Sequence, residues 1–421
     1  MTGFVFENDA FDPEVNIKVI GVGGGGGNAL NCMVESSDVN DIEYISINTD
    51  AMALRNSKAS SKIQIGAKLT KGRGAGNRPE VGERSAEENK DEIATAIKDA
   101  DMIFITAGMG GGTGTGAAPV VAQVAKEMDI LTVAVVTKPF LFEREAKMKQ
   151  AEKGIEELKK YVDSLIVIPN EKLLVGLDKP LTMRESFALA DGILKTGVKS
   201  IADLIVEEGF INLDFADVST IMRGAGYAHM AIGHGAGKDK ATEAAKAVIS
   251  SPLLETSIAG ATRLLINITM SEDVLSSDVD TATKMITDSA APDVECIFGT
   301  AFKEDMQDEM IITVIAAGFG GTDSIVKVDN GKLVDIFVDG NDRQQKQTKT
   351  DPRNVPPVPV MKRPEPVVQQ PSAQPSPQPE PQPVPVREEP KAAVSQPQTT
   401  SRRGGSDPDL DEIFRILDNN R

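Results

Sequence analysis

Two glycine-rich segments of this sequence have the composition of anion-binding loops. The first, GVGGGGGNAL at 21–30, and the second, GMGGGTGTG at 108–116, each follow an apolar run and precede a helix-like segment. Backbone amides at the start of a helix carry roughly half a positive charge, and glycine lets a ligand approach them closely. Two such loops together indicate a polyphosphate ligand, with the Thr113 and Thr115 hydroxyls as further donors. Glycines that serve only tight turns and close packing would explain one loop more readily than both.

The first segment alone also matches the dinucleotide-binding pattern G-x-G-x-x-G at 21–26, with Asp50 at the end of the next predicted strand. An NAD-dependent oxidoreductase is therefore a rival interpretation, although it leaves the second segment without a role. The sequence contains no G-x-x-x-x-G-K-[ST] motif, so it offers no P-loop lysine. Phosphate groups would be held chiefly by backbone amides, which differs from the common design of nucleoside triphosphatases.

These segments need a sheet to position them, and residues 16–180 have the pattern of one. Short apolar, β-branched runs alternate there with longer charged segments of helical character. Because several runs are apolar throughout, helices are expected on both faces of a mostly parallel sheet. The predicted fold class is a doubly wound α/β domain. The predicted strands are 17–22, 44–47, 102–106, 131–136 and 165–168.

A long helix and a second group of strands follow. Apolar residues recur at spacings near three and four between residues 182 and 206, which predicts a connecting helix. The segments RLLINITM, ECIFGTAF and MIITVIAAG indicate strands of a second, smaller α+β domain, and a single continuous large domain is the alternative. The predicted organisation is a flexible N-terminus (1–15), a ligand-binding domain (16–181), the connecting helix (182–206), the second domain (207–325), a linker (326–406) and a terminal peptide (407–421).

The C-terminal part of the chain changes composition twice. Residues 341–406 contain 15 of the 24 prolines, with glutamine, serine and charged residues between them. Such a segment cannot bury enough apolar surface to offset its ordering entropy, so a disordered Pro-rich linker is predicted. The terminal peptide instead indicates partner binding, with a frayed end as the alternative. Its apolar stripe at helical spacing consists of Leu410, Ile413, Phe414 and Leu417.

The overall composition excludes several classes of partner and ligand. A formal net charge of −18 argues against nucleic acid and against adsorption on anionic lipid. Cys32 and Cys296 form neither a disulfide framework nor a metal-site spacing, and His229 and His234 stand together in a predicted glycine-rich turn without carboxylate or thiol neighbours. We therefore assign no metal ligands. Without a secretion signal or a run of about 18 apolar residues, we expect a cytoplasmic protein with no direct membrane insertion.

Several motifs occur in the order of one known family. GGGTGTG at 110–116 is the tubulin signature, and it is accompanied by KVIGVGGGGGNAL, INTDAMAL, TVAVVTKPF, SLIVIPN and GFINLDFADVSTIM. With these motifs the chain resembles the FtsZ family of tubulin-like bacterial division proteins, over about residues 16–320 and in its linker and terminal peptide. The resemblance implies a tubulin-like fold with a GTP-binding domain, a connecting helix and a second domain. It also implies head-to-tail filaments.

The resemblance further implies a ligand and the residues that bind it. GTP and GDP would be bound with Mg²⁺ as a phosphate counter-ion, and one subunit would complete the hydrolytic site of the next. Matching motifs put Glu143 on the ribose with Lys147 nearby, and Asn170, Phe187 and Asp191 on the base. The implied phosphate-binding residues are Gly24, Gly25, Gly26, Gly27, Asn28, Gly112, Thr113 and Gly114.

The base assignment also has a physical basis. Phe187 and Asp191 are one helical turn apart, so their side chains share a face. An aromatic ring can stack on a purine, and an ionised carboxylate only accepts hydrogen bonds. Guanine presents two adjacent donors on that edge and adenine does not, so Asp191 would select GTP. In the alternative interpretation, Phe187 belongs to the core and Asp191 is a solvated helix residue.

The implied hydrolytic residues are Asp214 and Asp217, beside Asn212, in the segment NLDFAD. Interpreted locally, these carboxylates would cap the start of a helix, a role worth about 1 kcal/mol. In the family, this loop enters the nucleotide site of the neighbouring subunit, where the carboxylates orient and polarise the attacking water. Positioning and charge stabilisation are the general means of catalysing phosphoryl transfer.

The function implied is a GTPase whose activity depends on assembly and whose filaments form the division (Z) ring at midcell. Its partners would be further copies of itself, and membrane-tethering adaptors and regulators bound through 407–421. A nucleotide-regulated scaffold with little hydrolysis is the alternative. The sequence departs from the family pattern in three places, one of which is the segment VEEGF before Ile211, where the usual Pro-Gly is missing. Arg144 and Lys147 replace the usual Gly and Arg, and Asn77 with Arg78 replaces the usual Ala-Asn, which puts a cation in the loop expected beside the γ-phosphate.

Overall fold

The structure, a computed structural model, describes residues 15–36, 42–175, 180–206, 211, 213–254, 257–303, 306–319, 327–329 and 332–334. Several predicted features lie outside these residues. They are the N-terminal segment up to residue 14, almost all of the Pro-rich linker, the terminal peptide and Asn212.

A parallel sheet of six strands organises the first part of the chain. Its strands lie in the order β3-β2-β1-β4-β5-β6. Three of them, β1, β4 and β5, are buried along nearly their whole length, as expected for strands covered on both faces. The predicted doubly wound α/β fold is confirmed. The strands are β1 (Ile17–Val22), β2 (Ile42–Asn48), β3 (Ser61–Gln64), β4 (Met102–Gly108), β5 (Leu131–Lys138) and β6 (Ser164–Pro169).

Helices cover both faces of this sheet. They are α1 (Gly23–Ser36), α2 (Ala51–Asn56), α3 (Ala67–Thr70), α4 (Pro79–Glu88), α5 (Lys90–Ile97), α6 (Thr113–Glu127), α7 (Glu145–Leu158) and α8 (Met183–Val206). Alternation along each strand divides the core into two layers. In β1, Ile17 and Val19 pack with α1 and α8, whereas Ile20 and Val22 pack with α5, α6 and α7.

The second part is the smaller α+β unit that the sequence predicts, with its own buried core. Its antiparallel strand β10 lies between β7 and β8, and β9 runs parallel to β8 at the edge of the sheet. Its elements are α9 (Phe215–Met222), β7 (Gly226–Ala236), α10 (Lys240–Ile249), β8 (Arg263–Met270), α11 (Ser276–Thr287), β9 (Glu295–Phe302) and β10 (Glu309–Ala317).

Strand β7 joins the two parts into one sheet, which the sequence did not predict. Its first residues pair in parallel with β6, and the rest pairs antiparallel with β10. The glycine-rich turn predicted around His229 and His234 is wrong, because both residues lie on β7. The glycines of β7 allow helix α10 to pack closely against the strand, since a Cβ on Gly233 would lie 2.2 Å from the Ala244 carbonyl oxygen of α10.

A short strand pair also lies inside the segment predicted as linker. Strands β11 (Lys327–Asp329) and β12 (Lys332–Val334) pair antiparallel. The Asn-Gly dipeptide at 330–331 between them is a strong sequence signal for a two-residue hairpin turn. The predicted start of the linker at 326 rested on composition and overlooked this signal, so regular structure continues for several residues beyond it.

Helix α8 runs from the carboxyl ends of the parallel strands toward their amino ends. Its 24 residues span about 36 Å. Near its start, the Phe187 ring lies 5.3 Å from that of Phe140, which follows the carboxyl end of β5. Beyond its far end, Arg223 directly follows the last residue of α9, and its guanidinium pairs at 3.1 Å with Asp129, just before the amino end of β5. The end of α9 therefore lies at the amino ends of the parallel strands, opposite their carboxyl ends.

Arg144 has a backbone conformation that only glycine adopts readily. Its φ is 80° and its ψ is 157°, a region that costs a residue with a Cβ on the order of 1–3 kcal/mol. We expect Arg144→Gly to raise the free energy of unfolding by about 1 kcal/mol, after allowing for the extra freedom of glycine in the unfolded chain. Urea denaturation measures this change. Arg144→Ala is the control, and an equal gain in that variant would show that the backbone is not the cause.

Candidate functional site

The two glycine-rich loops meet where the strand order of the sheet reverses. The chain moves outward through β2 and β3 on one side of β1, and through β5 and β6 on the other side of β4. Because β1 and β4 are parallel neighbours, the loops that leave their carboxyl ends lie side by side. Open α/β sheets bind ligands at such a switch point. We name this space, between the first turns of α1 and α6, the crevice.

The first loop is itself the start of a helix. Helix α1 begins at Gly23, directly after β1, so Asn28 lies in its second turn. The amides of the first four residues of a helix have no acceptor within it. Gly24, Gly25 and Asn28 are exposed, whereas Gly26 is buried. The exposed amide groups of this turn are therefore available to an anion, and Gly27 is half-buried behind them.

The second loop is held in shape by its threonines. The buried Thr115 hydroxyl oxygen accepts a hydrogen bond from the Gly110 amide at 2.8 Å. The Thr113 hydroxyl lies 2.6 Å from that of Thr49, which follows β2. Thr113 is 9% exposed. Both hydroxyls thus have partners within the protein, but Thr115 is the acceptor in its contact, so its own O–H proton remains available to an anion.

Packing of the protein against itself requires several of the glycines. A Cβ on Gly26 would lie 2.2 Å from the Thr106 carbonyl oxygen, and one on Gly114 would lie 2.8 Å from the Gly108 carbonyl oxygen. Gly112 is similarly close to the backbone of Arg78. The interpretation that these glycines serve close packing is therefore correct at several positions. Gly24 and Gly111 differ, since a Cβ on either would meet no protein atom within 4 Å.

Three phenylalanines form a cluster beside the crevice. The buried Phe140 ring stacks on Phe142 at 4.9 Å, and both contact Phe187 edge to face. Phe187 is 40% exposed and Phe142 is 45% exposed. Phe187 is thus not a core residue, and its free face is available for a planar ligand. Phe142 was not identified from the sequence, although it stands two residues after Phe140 beside the predicted ribose-binding Glu143.

The polar residues assigned to the base are largely buried. Asn170 begins a 3₁₀ helix, Asn170–Leu174, at the carboxyl end of β6 and is 4% exposed. Its Oδ1 atom has no hydrogen-bond partner among the residues that the structure describes. Burial raises the pKa of the Asp191 carboxyl group to about 7. Asp191 is therefore not the fully solvated residue of the alternative interpretation, and a bound ligand could supply the partner that Asn170 Oδ1 lacks.

The raised pKa of Asp191 makes guanine binding depend on pH. Only the ionised carboxylate accepts from both guanine donors, so GTP affinity should fall by about tenfold for each unit of pH below about 7. Titrations of GTP binding between pH 6 and pH 8 measure this effect. Asp191→Asn controls for titration of the nucleotide phosphates, and an equal pH dependence in that variant would contradict the prediction.

Glu143 and Lys147, the residues assigned to the ribose, form an ion pair with each other. Glu143 Oε2 accepts from Lys147 Nζ at 2.9 Å, and its Oε1 accepts from the Phe140 amide at 3.1 Å. The Glu143 side chain is 17% exposed and that of Lys147 is 39% exposed. The pair holds the loop that carries Phe142, and the remaining lone pairs of the carboxylate stay available to a hydroxyl group.

The predicted hydrolytic carboxylates lie far from the crevice of the same chain. Asp214 caps α9 by accepting from the Asp217 amide at 2.7 Å, which is the capping role of the local interpretation. Both side chains are exposed. They stand at the start of α9, beyond the far end of α8, whereas Phe187 is near the start of α8. The structure does not bring them together with the glycine loops.

Neither a cluster of metal ligands nor a membrane-spanning helix occurs among the described residues. They contain no group of three or more His, Cys, Asp or Glu side chains that could hold a metal ion. A Mg²⁺ ion at the crevice would therefore be held mainly by phosphate oxygens and water, which suits its preferences. Within the same part of the chain, no helix is long and apolar enough to cross a membrane.

Comparison with known proteins agrees with this geometry. A model of the Tubulin/FtsZ family, GTPase domain, matches residues 16–177, and one of the FtsZ family, C-terminal domain, matches residues 226–320. An empty FtsZ dimer from M. jannaschii is 40% identical, with a TM-score of 0.70 over 73% of this chain and 89% of that one. The chain belongs to the tubulin/FtsZ family.

A more distant structure has the same tubulin/FtsZ fold. CetZ2 from Haloferax volcanii, a GTPγS-bound protofilament, is 19% identical, with a TM-score of 0.61 over 73% of this chain and 95% of that one. As a tubulin/FtsZ protein with a GTPase domain, the chain is a GTP-dependent polymerising protein of the cell-division type. The GTPase domain of this family implies that the chain binds a guanine nucleotide.

Proposed function

We propose that GTP bound in the crevice is hydrolysed when a second copy of the chain brings Asp214 and Asp217 to it. The proposal rests on the separation of these carboxylates from the glycine loops. Helix α8, about 36 Å long, runs from the edge that carries the crevice to the opposite edge. This separation supports a hydrolytic site whose two halves meet between subunits.

Each group has a defined part in the proposed reaction. Amides of the first turns of α1 and α6 bind the phosphates, Phe187 stacks on the base, and Asp191 with Asn170 pairs with the guanine edge. Phosphate charge would be neutralised by Mg²⁺ bound to the phosphate oxygens. The neighbouring carboxylates orient and polarise the attacking water, so that catalysis consists of positioning and electrostatic stabilisation. Glu143 holds the ribose, and Asn212 belongs to the same catalytic segment.

Contact between opposite edges of identical subunits is a head-to-tail interface. Such an interface joins different surfaces of the two copies and generates an open filament when the rotation between them does not close a ring. The dimeric state of the M. jannaschii FtsZ structure supports self-association. The protofilament of CetZ2 is consistent with it, although at 19% identity that likeness concerns the fold.

The cellular role follows from this assembly. We place the filaments in the cytoplasm, at the division ring at midcell. The Pro-rich residues 341–406 would tether the preceding domains to a peptide at 407–421, and this peptide would bind membrane-tethering adaptors and regulatory division proteins. The terminal helix stripe would form on the partner, which leaves assembly of the folded part independent of it.

A concentration series tests the shared site. With GTP, phosphate release per molecule should be near zero at low protein concentration and rise above a threshold, in step with light scattering. With ATP, it should stay near zero throughout. A specific activity independent of protein concentration would contradict the shared site. Assembly without phosphate release would favour a nucleotide-regulated scaffold.

A further inference from the structure

Neither glycine loop of the crevice contains a positively charged side chain. The first turns of α1 and α6 contain only glycine, threonine and their amides. Each helix start contributes about half a positive charge, which is small against the charge of a triphosphate. The third side of the crevice, formed by the loop 71–78 before α4, carries cations instead.

Close packing fixes this loop beside α6. A Cβ on Gly112, the N-cap residue of α6, would lie 2.8 Å from the Arg78 amide nitrogen. Helix α4 crosses the start of α6 so tightly that a Cβ on Gly116 would lie 2.0 Å from the Pro79 carbonyl oxygen. Arg78, the N-cap residue of α4, is thus anchored at the first turn of α6 by its backbone.

The side chain of Arg78 is exposed. Its guanidinium makes no hydrogen bond or ion pair with any residue in the described part of the chain. It lies over Gly76, whose Cβ position is 3.9 Å from Arg78 Nε. An unpaired guanidinium with a fork of donors is suited to binding phosphate oxygens in a bidentate manner.

The order of the strands tells which phosphate lies near Arg78. The base-binding residues Phe187 and Asn170 lie beyond the carboxyl ends of β5 and β6, on one side of the crevice. The loop of Arg78 follows β3, on the other side, and its Arg73 backbone pairs with that of Asp50 after β2. A nucleotide that extends from the base across the crevice therefore directs its terminal phosphate toward Arg78.

We propose that Arg78 binds the terminal phosphate of the nucleotide held by its own subunit, and so distinguishes GTP from GDP. This inference rests on the proposed nucleotide site. The cation that P-loop enzymes supply from a lysine within the glycine loop comes here from the loop before α4. Because the contact is made within one subunit, it acts before assembly.

Equilibrium dialysis of GTP and of GDP tests this role, at a protein concentration at which light scattering detects no filaments. Arg78→Gln should bind GTP about tenfold more weakly than the unaltered chain and GDP within about twofold. Arg78→Lys should recover part of the GTP affinity. Arg84→Gln removes the same charge from an exposed position of the same helix and should leave both affinities unchanged.

The outcomes separate this inference from the proposed function. An unchanged ratio of GTP to GDP affinity in Arg78→Gln, with both nucleotides bound, would overturn the role of Arg78 and leave the nucleotide site intact. Weaker assembly with unchanged affinities would also overturn it, because Arg78 would then contact the neighbouring subunit. An unaltered chain that binds neither nucleotide would overturn both.

Discussion

Asp217→Ala is expected to lower GTP turnover by at least about a hundredfold while GTP binding stays unchanged. Asp217 is exposed, and its backbone amide rather than its carboxylate takes part in the Asp214 cap. Truncation of the side chain therefore leaves α9 capped and the crevice untouched. Loss of an electrostatic group that acts only in the transition state commonly costs a factor of 10²–10³. Filaments that retain GTP should also persist longer, which light scattering after one addition of GTP measures.

Asp239→Ala provides the matched control for this experiment. Asp239 is also an exposed carboxylate near the start of a helix, but the proposed site gives it no role. The GTP turnover of the Asp239→Ala variant should equal that of the unaltered chain. Unchanged turnover in Asp217→Ala would contradict the shared-site mechanism, whereas loss of GTP binding would mean that Asp217 supports the crevice of its own subunit.

Gly24→Glu is expected to abolish nucleotide binding without unfolding the protein. A Cβ at Gly24 meets no protein atom within 4 Å, so the new side chain has room, and acidic residues are favourable in the first turn of a helix. The carboxylate would occupy and repel the phosphate position, and we expect GTP affinity to fall by at least about a hundredfold. Binding titrations and thermal unfolding of the same sample measure the two effects separately.

Gly26→Ala tests the contrast between the two kinds of glycine. Its Cβ would lie 2.2 Å from the Thr106 carbonyl oxygen, within the backbone of β4, so this small change should destabilise the fold.

If Gly24→Glu binds GTP normally, the first turn of α1 is not the phosphate site. Mixing Gly24→Glu with Asp217→Ala should restore hydrolysis, because the first supplies intact carboxylates and the second an intact crevice.

Local patterns were sufficient to predict the elements around the crevice. The apolar runs of β1, β4 and β5, the glycine loops after β1 and β4, and helix α8 all carry signals within a short window of sequence. The role of β7 could not be predicted, because Gly233 and Gly235 weaken a strand signal and only their contact with α10 explains them. The hairpin of β11 and β12 was missed for a different reason, since composition outweighed a turn signal.

The details of the site depend on contacts between distant segments, which a single sequence does not reveal. The raised pKa of Asp191 comes from burial, which the tertiary packing of the chain produces. Thr113 is paired with Thr49, 64 residues earlier. Equally, the separation of Asp214 from the crevice depends on the direction of α8 across the sheet. The sequence motifs indicated which residues matter, and the fold decides which of them can meet in one subunit.

The placement of crevice and carboxylates on opposite edges makes every filament polar. At one end, the last subunit presents an uncovered crevice; at the other, the last subunit presents carboxylates with no nucleotide to act on. In the proposed mechanism, the subunit with the uncovered crevice would keep its GTP because nothing completes its site, whereas interior sites would come to hold GDP. Short filaments thus contain a larger share of uncut nucleotide than long ones. The ratio of bound GTP to bound GDP in a filament would therefore fall as the filament becomes longer.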